Sequence, residues 1–293
     1  ASDPRSGDPR SAGARSSGAR SGAGSAGSRA GASRGSNPHS GASRPPSSRS
    51  GGSRQFDRGP SEEPRSKRPS GPRPVEPALP EHVDTSVLDK SVRAELRTLS
   101  KPNAEVVGAH LVTAGLALDS DPRKALEHAR AARGRASRLA AVREAVGIAA
   151  YRAEEWAEAI TELRTARRIC GDPRNLPIIA DCERALGRPN QAVRALSDPD
   201  ARRLDPEMRA ELLIVVAGAR RDLGQLDAAL AVLSRGGLDR ERPRPGSLRL
   251  WYAYADALED SGKPDEAARW FAAAAAIDAD GETDAVDRAA GLL

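Results

Sequence analysis

Apolar positions from Ser86 onward recur at spacings of three and four, and no segment sustains the period-two alternation of a strand. Leu88, Val92, Leu96 and Leu99 make one stripe, which predicts a capping helix over 86–99. After it the stripes come in pairs broken by turn residues. GRPNQAVRAL (Gly187 to Leu196), GQLDAALAVL (Gly224 to Leu233) and GKPDEAARWF (Gly262 to Phe271) each set a glycine, then Pro or Leu two residues on, ahead of an Ala-rich run. A glycine permits a left-handed helix cap, and a proline fits the first turn of the next helix, so each motif reads as the hinge of a helix-turn-helix pair.

Alignment on the Ala that follows each hinge gives Ala125, Ala159, Ala192, Ala229 and Ala267, at intervals of 34, 33, 37 and 38 residues. Four residues later stand Ala129, Leu163, Leu196, Leu233 and Phe271. Twelve before stand Thr113, Gly147, Ala180, Ala217 and Ala255, and seven after stand Ala132, Ala166, Pro199, Gly236 and Ala274. Small residues let a neighbouring helix approach closely, while the large residue one turn along fills the space beside it. Five units follow, at about 106–139, 140–173, 173–206, 210–243 and 248–281. Pro199 and Gly236 interrupt the third and fourth, so their second helices are expected to be short and their stacking looser.

In the last unit Trp251, Tyr254, Ala255, Gly262, Ala267, Phe271 and Ala274 follow the large, large, small, turn, small, large, small order of tetratricopeptide repeats, which the chain resembles over about 106–281. The second unit resembles them nearly as closely, through Val146, Gly147, Trp156, Ala159, Leu163 and Ala166. The resemblance implies an all-α fold, a right-handed α-solenoid whose first helices line a concave surface for a partner segment. Carrying the family's groove offsets over marks Glu144, Tyr151, Arg152, Asp181, Arg184, Arg221, Arg249, Tyr252, Asp256 and Glu259 as the partner-binding groove. The asparagines with which some members clamp a C-terminal carboxylate correspond here to Ala114, Ile148, Asp181, Gly218 and Asp256, which disfavours recognition of chaperone tails.

Composition divides the chain. The first 80 residues hold 19 Ser, 13 Gly, 13 Arg and 12 Pro, with Phe56, Val75 and Leu79 as their large apolar side chains. Nothing in that stretch offsets the entropy of ordering, so the expected organisation is a disordered basic tail over 1–59, a Pro-rich linker over 60–82 and the solenoid over 83–293. Charge is uneven as well. Residues 1–80 carry 14 Lys+Arg against 6 Asp+Glu, whereas 248–293 carry 4 against 10. The tail reads in two ways: a polycation giving weak, non-specific RNA binding, or unselected sequence from GC-rich codons.

Candidate chemistry is sparse. His110 and His128 stand apart from any nucleophile, and the chain has no phosphate-cradling glycine loop and no HExxH pair. Cys170 and Cys182 make no zinc set and no disulfide framework, and read as small buried hydrophobes. The expectation is therefore a non-enzymatic scaffold for a protein or peptide partner, with no catalytic, cofactor or metal site. An RNA- or ribosome-associated accessory protein is the alternative. No apolar run suggests a signal peptide or membrane span, so the expected location is cytoplasmic and no membrane partner is expected.

Overall fold

The computed structural model describes residues 76–292, and among them the secondary structure is all α, with twelve α-helices and no strand. The tail over 1–59 and the linker up to residue 75 lie outside the described residues. Helices run α1 (Lys90–Leu96), α2 (Lys101–Ala117), α3 (Pro122–Ala136), α4 (Ala140–Arg152), α5 (Trp156–Cys170) and α6 (Leu176–Ala185). They continue with α7 (Pro189–Arg194), α8 (Pro206–Asp222), α9 (Leu226–Ser234), α10 (Ser247–Asp260), α11 (Pro264–Ile277) and α12 (Ala285–Gly291). Consecutive helices pack on one another throughout, and α8 also packs against α6 and α10.

The hinges have a common construction. Gly187, Gly224 and Gly262 have φ of 70°, 71° and 73°, a left-handed conformation open to glycine without strain. Around Gly262, its own N–H donates to the Glu259 carbonyl at 2.9 Å and the next N–H, of Lys263, donates to the Leu258 carbonyl at 3.0 Å. Gly187 and Gly224 repeat this pair of bonds, which satisfies carbonyls that the ending helix leaves open. The α4–α5 hinge makes the same two bonds with Glu154 at φ 62°.

All five anchor alanines are fully buried. At Gly147 the reason for a small residue is explicit, since a methyl group there would lie 2.5 Å from the side chain of Leu163 on α5. Apolar clusters fill the space between pairs: Val107, Leu111 and Val142 in the first, Val146, Ala150 and Ile160 in the next, and a larger one around Leu212, Leu213, Trp251 and Phe271.

α7 has 6 residues and α9 has 9, against 15, 15 and 14 for α3, α5 and α11. Pro199 is exposed at the start of the 3-10 turn Pro199–Arg203. Gly236 differs: a Cβ there would collide with Leu250 of α10, so the larger residue of the next unit occupies the space an alanine methyl would take. The stripe over 86–99 is not one helix. Asp84 caps a 3-10 turn, Thr85–Val87, Leu88 is extended, and Asp89 then starts α1. Aspartate favours helix starts over helix interiors, and Asp89, at the N-cap of α1, divides the stripe. Cys182 is buried, whereas Cys170 is exposed at the last position of α5.

Charges are folded in by pairing. Glu162 of α5 is buried and receives Arg133 at 2.6 Å and Arg143 at 2.7 Å, so α3, α4 and α5 share one carboxylate. His110 of α2 and His128 of α3 are also buried, with their Nδ1 atoms 3.0 Å apart, so one imidazole donates to the other. No helix among the described residues is long and apolar enough to cross a membrane.

Candidate partner-binding cleft

Helices α4, α6, α8 and α10 are the first members of four consecutive pairs, and each turns one face toward a common cleft of about 430 Å³. Tyr151 comes from the last turn of α4. Asp181 and Arg184 lie one turn apart on α6, Arg221 stands near the end of α8, and Arg249, Tyr252 and Asp256 occupy successive turns of α10. Seven of the ten residues marked from the sequence thus line one cavity. The other three do not line it. Glu144 accepts a bond from Asn175 Nδ2 at 2.7 Å, Arg152 pairs with Asp119 at 2.6 Å, and Glu259 with Arg288 at 2.6 Å.

Polar side chains in the cleft hold one another across unit boundaries. The Tyr151 hydroxyl donates to Asp181 at 2.7 Å, and burial followed by this carboxylate raises the phenol pKa. Arg184 reaches Asp181 at 3.5 Å and, one unit on, Asp222 at 2.5 Å. Its pKa is raised, first by the bond to Asp222. Arg221 binds Asp256 and Asp260 of the following unit. Burial acts to lower the Arg221 pKa, and these two carboxylates more than offset it. Arg249 pairs with Glu211 at 3.0 Å, where burial raises the carboxyl pKa against the pull of the arginine. Between these pairs the lining is small and apolar: Ile214, Val215, Ala217, Gly218 and Ala253.

Other contributors escape the sequence reading. Glu211, Ile214 and Val215 precede Arg221 on the same face of α8, at the helical spacing of 211, 214, 218 and 221. That stripe was present in the sequence, but the family offsets single out Arg221 alone on this helix. Arg288 of α12 lies beyond the last unit. It donates to Asp256 at 3.1 Å and to the Tyr252 hydroxyl at 3.0 Å, and its guanidinium sits 4.5 Å from the centre of the Phe271 ring. A cation over an aromatic face in this arrangement pins α12 to the end of the array.

Three arginines and three carboxylates therefore alternate around a lining of small aliphatic groups, a surface suited to an extended segment of mixed charge. No protein-family model matches the chain, and no curated protein matches it.

Proposed function

We propose that the helix pairs form a tetratricopeptide-like solenoid and that the chain is a non-enzymatic scaffold, holding a peptide segment of a partner protein in the cleft between α4, α6, α8 and α10. The observation that carries this reading is the source of the lining. Side chains from the first helices of four successive pairs converge on one cavity, and seven of them are at the offsets through which tetratricopeptide proteins contact their partners. Glu211, Arg221 and Asp256 supply both signs of charge, and Val215 and Ala253 supply contact area near them. Such a lining selects by charge pattern as well as by shape.

Peptides selected from a random display library on the full chain are the test. The expected outcome is a recurring mixed-charge consensus whose affinity drops at least tenfold in Ala253→Glu, which fills the cleft, and is unchanged in Arg123→Glu, at an exposed position outside it. Peptides that bind both variants equally well would place recognition elsewhere on the molecule.

A further inference from the structure

A second cleft, of about 370 Å³, opens where α7 ends early. Its wall is made by the two 3-10 turns that replace the rest of that helix, Ala195–Ser197 and Pro199–Arg203, by α8, and by the C-cap of α9. Three arginines line it: Arg202 from the second turn, Arg209 from α8 and Arg235 from the C-cap of α9. None of the three has an ion-pair partner among the described residues, and Arg209 is half-buried. Asp198 is the acidic side chain in the lining, and it is already engaged. Arg167 takes its two oxygens at 2.7 and 2.6 Å, and the Asp200 N–H bonds one of them at 2.9 Å. Asp200 is engaged in turn, by Arg167 at 2.6 Å and Arg203 at 3.2 Å.

Three arginines with no ion-pair partner among the described residues thus line one cavity whose acidic side chain, Asp198, is already paired with Arg167, while Arg203 beside them is paired with Asp200. Convergence of this kind raises the free energy of the empty site and lowers it when an anion enters. Guanidinium groups present planar, two-pronged donors that match the oxygens of a phosphoryl group. A phosphomonoester carries about −1.5 to −2 near neutral pH and so answers most of the uncompensated charge, which a single carboxylate leaves largely unmet. We propose that this cleft binds a doubly charged phosphoryl group, as the free ion or as a phosphomonoester. The site is separate from the peptide cleft and does not depend on it.

Calorimetric titration of the full chain with inorganic phosphate and with phenyl phosphate, at constant ionic strength, tests the assignment. Saturable one-to-one binding is expected near pH ~7.5, weakening several-fold near ~5.5, where the ligand has lost its second charge. Arg202→Gln and Arg235→Gln change exposed positions and should each weaken binding about tenfold. Arg123→Gln, at an exposed arginine outside the cleft, should leave it unchanged. If phenyl phosphate binds more tightly than the inorganic ion, the natural ligand is a monoester, and the reverse order assigns the free ion. The proposal is overturned if neither ligand gives saturable heat, if acetate binds as tightly as phosphate, or if the two cleft variants behave like Arg123→Gln.

Discussion

Glu154 adopts, at φ 62°, a conformation that glycine holds at the corresponding hinges of α6, α8 and α10. A side chain with a Cβ is disfavoured there by about 1–2 kcal/mol, partly offset because glycine gains more freedom in the unfolded chain. Glu154→Gly should therefore stabilise the protein by roughly 0.5–1 kcal/mol, and Gly262→Ala should destabilise it by a similar amount, both read from urea midpoints. A shift of Glu154→Gly toward instability would mean that its side chain compensates the strain through contacts of its own. The anchor alanines make the complementary case. Ala159→Leu forces a larger side chain into a fully buried helix contact and should cost about 1–3 kcal/mol. Arg123→Leu changes an exposed position and should stay within about 0.5 kcal/mol. Equal effects would assign the buried face wrongly.

Among the elements, what the sequence made legible was what repeats. Five alanines in register and three glycine hinges are periodic, and burial and capping impose that period on the residues, so both are legible in the sequence alone. What does not repeat was hidden. Before α12 the left-handed glycine is Gly281, but Val286 stands where the hinge offset would put the anchor alanine, and the helix is held by Arg288, whose partners lie about 30 residues back on α10. The cleft was half legible for the same reason, since Tyr151, Asp181 and Arg184 stand at repeated offsets, whereas the use of Glu211 depends on Arg249 from the next pair. The α2–α3 pair carries its own pH dependence. Burial lowers the pKa of both His110 and His128, and each proton on His128 further disfavours one on His110. The other charges acting on them are mixed in sign, Glu76 and Arg135 on His110, Lys124 and Glu127 on His128. Because the folded pair binds protons less readily than the unfolded chain, its contribution is complete above about pH 6.5 and is lost as pH falls below that value. Unfolding free energy should decline as pH falls below about 6.5, by up to ~1.4 kcal/mol per unit for each histidine. His128→Phe should flatten that slope. An identical slope in this variant would assign the acid sensitivity to carboxylates.

Across the whole chain, net charge is positive over residues 1–80, where 14 Lys+Arg meet 6 Asp+Glu, and negative over 248–293, where 4 meet 10. Should the arginine-rich N-terminal sequence bind RNA, its 14 cations and near absence of aromatics predict an interaction driven by counterion release, with log K falling by about 0.7 per unit of log salt for each phosphate neutralised on a single strand. Fluorescence anisotropy with a labelled 20-mer should show binding at low salt that vanishes near ~0.3 M and is lost in residues 81–293. Equal binding by the shortened chain would move the RNA surface onto the helices, and no binding by either would leave the scaffold reading alone.

The cleft obeys a different law, because its arginines are already committed. Arg184, Arg221 and Arg249 each hold a carboxylate of a neighbouring unit, so an incoming acidic residue must displace an aspartate or glutamate that then seeks a basic residue on the same ligand. On the proposed reading, recognition would be a swap of partners with no net gain or loss of ion pairs and almost no release of salt ions. A peptide bound there should keep its affinity across the salt range, up to about 0.3 M, over which counterion-driven binding is lost. It should lose that affinity when only one of its two charges is neutralised, because half a swap strands a charge on the protein.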